Sequence, residues 1–584
     1  LFRSNYRAKL GFDIKIPYVD GLKFNALFSY VRGANHSKSF LTPYSLYLLG
    51  DDGSVANERI FGKTSLSEEM YIGNNMTSTL TLTYNKKIKG HSMSGLLVYE
   101  QFESLGSTLG ASRTNFPFTS IDQLFAGGDD EEQSNWGTPA QDARKGLIGR
   151  FNYDYKGKYL AEFSFRYDGS LKFHPDRRWG FFPSVSLGWR LSEEAFMKKF
   201  SNLDNLKVRG SYGILGNDAV GGWQWLTNYS FGNAYIFNQA PIKSIVSGGI
   251  PNVDLTWEKT ATFNFGVDAS IYKGLLAVEA DVFYKRTYDI LGSRNASMPQ
   301  TFGATLPSEN YGIVKVKGFE LQVKHDNKIG DFRYHVGGNV SWSRNKVIEK
   351  DYAAGAEPWN IPVGKTMGYR ACFVALGLFQ SDEEAAAWPR FKGTQPTAGD
   401  VKYADLNNDG IMDERDKKVV SPYSNTPEIM FGLNLSASWK GFDFSALFQG
   451  AANRNVMLSG FATQMFINGA SNLPKYLYED HWTPDNRDAR YPKAWGPDHP
   501  SNNKSSTFWL INGNYVRLKN VELGYSISKD LLSRVGVDRL RIYVGGSNLF
   551  SIDHMPGYDP EKQDGGPNYY PQQRVFNMGV NITF

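Results

Sequence analysis

The run Asp405-Leu406-Asn407-Asn408-Asp409-Gly410-Ile411-Met412-Asp413-Glu414-Arg415-Asp416 places side-chain oxygens at positions 1, 3, 5, 9 and 12, with glycine at position 6. Hard cations take oxygen ligands, and this spacing is the one that wraps a single loop around a calcium ion. Asp405, Asn407, Asp409 and Asp416 are the expected direct ligands, joined by the carbonyl of Ile411 and by Asp413, directly or through water. Position 12 is aspartate where glutamate is usual, a shorter arm suited to binding through one oxygen. No helical pattern flanks the run, so the expectation is a calcium-type loop without an EF-hand, stiffening a long connection rather than doing catalysis.

A second group, Trp223, Trp225, Tyr229 and Tyr235, lies in another long connection. Aromatic faces offer apolar contact to sugar rings, and they serve equally to pack loops together. Other candidates carry less. Gly62-Lys63-Thr64 and Gly364-Lys365-Thr366 end like phosphate loops, but Asn57 and Trp359 stand where the first glycine belongs, so both read as loop residues. The eight histidines form no H-E-x-x-H pair and no G-x-S-x-G occurs, so no hydrolase constellation is visible. Asp129-Asp130-Glu131-Glu132 reads as a solvated loop face.

What positions these loops is visible in composition and pattern. The chain has 584 residues with 41% hydrophobic and 15% aromatic content, 59 glycines and a mean hydropathy of -0.42. No apolar run approaches the length that a membrane helix needs. A net charge of +5 gives no concentrated basic face, so a nucleic-acid partner is not expected. The single cysteine, Cys372, forms no disulfide within the chain and reads as a small buried hydrophobe.

Period-two alternation recurs along the sequence, as in Phe263, Phe265, Val267, Ala269 and Ile271 against Asn264, Gly266, Asp268 and Ser270. Phe431 to Lys440 repeats it. One face is apolar and the other small and hydrated, which suits a large barrel around an aqueous lumen. Ile88-Lys89-Gly90, Tyr155-Lys156-Gly157, Tyr272-Lys273-Gly274 and Trp439-Lys440-Gly441 mark short turns on one rim. Long connections over roughly 33–77, 104–143, 216–256, 347–426 and 453–511 mark the other rim.

The runs pair as hairpins 5–16 with 21–32, 78–87 with 91–102, 144–155 with 158–168, 181–192 with 205–215, 257–271 with 275–287, 310–325 with 331–346, 427–439 with 442–452 and 512–525 with 538–549. A last strand spans 573–584, giving about 17. The fold class is therefore all-β, a large transmembrane antiparallel β-barrel lying in a bacterial outer membrane, against outer-membrane lipid and lipopolysaccharide. Bacterial single-chain barrels have even strand numbers. An odd count predicts further strands upstream, with the chain starting on the outer side. The final alternation, Phe576 to Phe584, is similar to the terminal signal that barrel-assembly machinery reads.

Several segments carry a family resemblance: Arg178 to Ser184 (RWGFFPS), Gly210 to Gly213 with Gly216-Asn217, Pro251 to Glu258 (PNVDLTWE), Tyr403 to Asp416, Gly545 to Phe550 (GGSNLF), Pro556 to Glu561 (PGYDPE) and the terminal Phe584. In that order they resemble the SusC/RagA group of TonB-dependent outer-membrane transporters. The resemblance implies a barrel of about 22 strands, preceded by a plug and a TonB-contacting segment, within the even-numbered range of such barrels. It makes residues 1–584 the C-terminal portion of that barrel, without plug or first strands, and 347–426 a long outer loop region carrying the calcium-type loop at 405–416. It implies import of oligosaccharides or oligopeptides, driven through the TonB complex, with a SusD-like surface lipoprotein as lid, and no enzymatic role. A passive porin, or a secreted soluble β-rich glycan-binding protein, are the other readings of the pattern.

Overall fold

Seventeen antiparallel strands make the main sheet in a computed structural model, each of them overlapping a segment where alternation places one. It describes residues 2–584 except 50–51, 129–132, 238–239, 305, 467–472, 496–500, 529–531, 533–535, 563, 566–569 and 571. The acidic run 129–132 lies outside the described residues. No helix among the described residues is long and apolar enough to cross a membrane.

The chain divides into two compact units. The first comprises residues 1–156, 160–185 and 213–258. Within it Phe2–Lys15 pairs with Leu22–Leu41, which pairs in turn with Ser65–Ile88, His91–Thr114 and Gln133–Tyr155, each against the next. Here the strands run well beyond the alternating segments, so the connection expected over 33–77 holds strand as far as Leu41 and again from Ser65. The one expected over 104–143 narrows in the same way, between Thr114 and Gln133. Beyond the alternating stretch polar residues such as Glu68 and Asn74 break the apolar row, while the hydrogen-bonded ladder continues without the pattern.

The second unit comprises residues 157–159, 186–212 and 259–584. Its ladder runs from Glu258–Ile271 through Leu276–Gly292, Glu309–Ile329, Phe332–Glu349, Ile429–Trp439, Phe442–Ala452, Tyr515–Ser526 and Arg539–Asp553 to Val575–Thr583. Two-residue turns join Trp439 to Phe442 and, in the first unit, Ile88 to His91. Lys440 and Gly441 have φ of 44° and 90°, Lys89 and Gly90 of 45° and 87°, so lysine and glycine both sit left-handed, as the tightest hairpin turn requires. The lysine's conformation is not visible in its type.

The register sorts side chains onto two unlike faces. Phe265, Val282, Phe319, Trp342 and Ile429 share one row, and Val267, Ala280, Leu321, Val340 and Phe431 the next. On this face Phe265, Val282, Phe319 and Leu433 are exposed, as are Val544, Ile542 and Met578 further along the ladder. A contiguous exposed apolar face of this extent is what lipid covers. The opposite face carries ion pairs: Arg209 with Asp268 at 3.1 Å and Asp281 at 2.5 Å, Glu279 with Lys324 at 3.7 Å, and Arg541 with Asp443 and Glu522.

Connections at the far end from the short turns build small cores of their own. Val456, Leu458, Met465, Leu477, Tyr491 and Trp509 form one, and Phe373, Val401, Tyr403 and Met412 another. Cys372, in the short strand Arg370–Phe373, is fully buried and free, as its sequence reading expects. Burial pushes its thiol pKa up to about 11.

Candidate functional site

The calcium-type loop is bolted down by Met412, which is buried in the core with Phe373, Val401 and Tyr403. Around that anchor the loop closes on itself through its own backbone N–H groups. The Asp405 carboxylate accepts from the amides of Asn408 at 2.7 Å and Gly410 at 2.9 Å. Asn407 accepts from the Asp409 amide and Asp409 from the Ile411 amide, both at 3.0 Å. Asp416 is fully buried, and its two oxygens accept from the amides of Leu406 at 2.9 Å and Asp413 at 2.8 Å, tying the loop's ends together. Gly410 sits at φ 78°, where a side chain would be strained.

Arg415 is the feature that spacing did not reveal. Its guanidinium contacts Asp409 at 2.6 Å and Asp413 at 2.8 Å, and it holds the Asp413 carboxyl below the usual carboxylate range. The expected oxygens therefore stand along one loop, but two of them face an arginine. Among the described residues no group of three or more His, Cys, Asp or Glu side chains is gathered closely enough to hold a metal ion. A cation entering the loop has to draw Asp409 and Asp413 from Arg415.

The aromatic group is partly assembled. Trp223 and Trp225 lie with ring centroids 6.1 Å apart, and His174 packs edge-on to Trp225 at 5.3 Å. The indole nitrogen of Trp225 is buried with no hydrogen-bond partner among the described residues. Tyr229 begins the strand Tyr229–Phe237 and is 68% exposed, while the Tyr235 side chain lies outside the described residues. The phosphate-loop look-alikes are loop residues: Lys365 donates to the carbonyls of Pro358 and Ile361 in its own connection, and Thr64 to that of Phe116.

The motif segments have structural work that their sequences do not announce. Trp257 of PNVDLTWE donates to the carbonyl of Arg178 at 2.8 Å and packs on Phe182 and Phe173 at 5.3 and 5.6 Å. A side chain at Gly216 would meet the Phe182 ring at 2.1 Å, so glycine is the residue that lets the two segments close. PGYDPE is gripped by arginines: Arg517 pairs with Asp559 at 3.0 Å and Glu561 at 2.8 Å, and Arg454 donates to the carbonyls of Pro560 and Lys562, both at 2.6 Å. Just beyond, Arg370 pairs with Asp564 at 2.8 Å. Sequence reasoning missed this clamp, because its arginines lie 40 or more residues away from their partners, as with Arg517 and Asp559.

The family model described as TonB dependent receptor-like, beta-barrel matches residues 1–549. TonB-dependent receptor P3 of Formosa agariphila is 26% identical over the whole chain, which spans 58% of that relative's length. TonB-dependent receptor SusC of Bacteroides thetaiotaomicron is 26% identical over 75% of the chain and 43% of its own length. Among solved structures, the RagAB peptide importer in its open-open state matches the whole chain and 61% of its own with a TM-score of 0.77 at 22% identity, a likeness of fold. The chain thus spans less than two thirds of these relatives, and with its lipid-facing and charged strand faces it belongs to the TonB-dependent receptor-like β-barrel family of the bacterial outer membrane.

Proposed function

We propose that the chain forms the barrel portion of an outer-membrane importer of the SusC/RagA type, taking up oligosaccharides or oligopeptides with energy supplied through TonB and a SusD-like lipoprotein over its outer mouth. The observation that carries this reading is the family match over residues 1–549 on strands whose two faces are apolar and charged. RagAB is a peptide importer, which supports the oligopeptide class; the oligosaccharide class and the lipoprotein lid follow from the sequence resemblance to the SusC/RagA group. The importer reading needs no covalent step, so no residue here is assigned a catalytic role. Trp223 and Trp225 are proposed to meet substrate through their ring faces, which offer apolar contact to a sugar or side chain. Calcium is proposed at Asp405, Asn407, Asp409, Ile411, Asp413 and Asp416 as a structural ion; the hard oxygen set and the closed backbone support it.

The test is mass spectrometry of the complex extracted from outer membranes in mild detergent. Co-purification of a surface lipoprotein, with uptake lost in a strain lacking TonB, is expected. A complex that conducts ions openly and feeds the cell equally well without TonB would replace this reading with a passive porin.

A further inference from the structure

On the apolar face of the second unit, the strands end in an unusual way toward the long connections. The row Phe265, Val282, Phe319, Trp342 gives way to Phe263, Tyr284, Lys317, Arg344, and then to Ala261, Arg286, Lys315, Lys346. Lys317 therefore stands directly opposite Arg344, and Lys315 between Arg286 and Lys346. Like charges in direct cross-strand register destabilise a sheet, so such a cluster calls for a counter-ion. Among the described residues only Arg344 has one, a two-pronged pair with Glu428 at 2.7 Å. Among the described residues Lys315, Lys317 and Lys346 make no ion pair or hydrogen bond, and Lys317 and Lys346 are exposed. Tyr284, Lys315, Lys317, Arg344 and Lys346 line a cleft of about 580 Å³.

The position of this cleft decides its ligand. Tyr284 stands in the same row as Lys317 and Trp342 one residue pair before it, and Lys365, Tyr369 and Val419 of the long connection wall the cleft's other side. The lysines thus project from the face that lipid covers, at the end away from the short turns. That is the depth of the headgroups of the outer leaflet. We propose that Lys315, Lys317, Arg286 and Lys346 form a site for the phosphate of a phosphorylated glycolipid of that leaflet, with Tyr284 and Trp342 against its sugar and acyl boundary. The shared chemistry is a phosphomonoester, which several ammonium groups bind by charge and hydrogen bonding. The lipid's phosphate replaces the counter-ion the cluster lacks, and the site lies outside the solute path, on the opposite face from the Arg209–Asp281 pairs. The inference rests on the outer-membrane placement of the family and not on the proposed substrate.

The test uses the whole protein purified from outer membranes, delipidated and offered nanodiscs containing radiolabelled lipid A, the same lipid after phosphatase treatment, or inorganic phosphate alone. Wild type is expected to retain the phosphorylated lipid on the order of tenfold better than the dephosphorylated one. The variant K315Q/K317Q/K346Q should lose that preference while remaining folded by its gel mobility before and after heating. The variant K89Q/K156Q/K440Q, altered only at the short turns, should keep it. A folded K315Q/K317Q/K346Q protein with undiminished preference overturns the proposal. So does capture of inorganic phosphate with no discrimination between the two lipids, which would make the cluster a site for soluble oxyanions.

Discussion

Arg517 shows how much of the molecule's order hangs on single side chains. It is 5% exposed and pairs with Asp559, whose side chain is 7% exposed, and with Glu561. Deleting one partner of a buried pair leaves the other charge without compensation, a loss of about 3–5 kcal/mol. Arg517→Ala is therefore expected to free the segment around Pro556 to Glu561, read as new protease cleavage there in folded protein; an unchanged digestion pattern would show that Arg454 and Arg370 suffice. Cys372 makes a second residue-level case. A thiol held near 11 stays protonated at pH 9, so the native protein should resist alkylation there and react once denatured. The folded pKa lies above the unfolded one, so this group's contribution is complete below pH 9 and declines as pH rises toward 11.

At the scale of elements, each expected hairpin is present, because a strand with one face in lipid must alternate and a two-residue turn must tolerate positive φ. The turn glycines can be tested directly. A side chain on Gly441, at φ 90°, would meet the Ser526 carbonyl at 2.7 Å, so Gly441→Ala should cost roughly 1–2 kcal/mol or more. A lowered midpoint in urea unfolding from lipid vesicles checks it. The outer half of Ser65–Ile88 was illegible because Glu68 and Asn74 interrupt the apolar row of Leu66, Met70, Ile72 and Met76, so no clean alternation shows there. The same contrast holds for the calcium-type loop: spacing showed the oxygens, whereas the hold of Arg415 on Asp409 and Asp413 depends on where a flexible side chain swings. If calcium binds, Arg415→Ala should raise its affinity by removing the competitor, and chelation should speed proteolysis near residues 400–420. Equal cleavage with and without chelator in both proteins would argue against an ion.

Across the whole molecule, one inequality organises everything: the face bearing Leu433 has only lipid to meet, and the face bearing Asn434 has water and ions. Along Phe332–Glu349 the apolar rows run from Tyr334 to Trp342, eight steps or about 26 Å along the strand, the scale of the apolar band of an outer-membrane barrel. Leu433 pairs with Gly338, midway between those limits. An arginine there has to be carried into the centre of the hydrocarbon, at about 2–4 kcal/mol. The same arginine at position 434, one residue along and on the opposite face, meets the hydrated side that already carries Arg209 and Arg541. Leu433→Arg is thus expected to lower the stability of the protein folded in lipid by that amount, and Asn434→Arg by less than about 1 kcal/mol. The reverse order would mean that the assignment of the two faces has to be exchanged, and equal losses that lipid does not distinguish them at this depth.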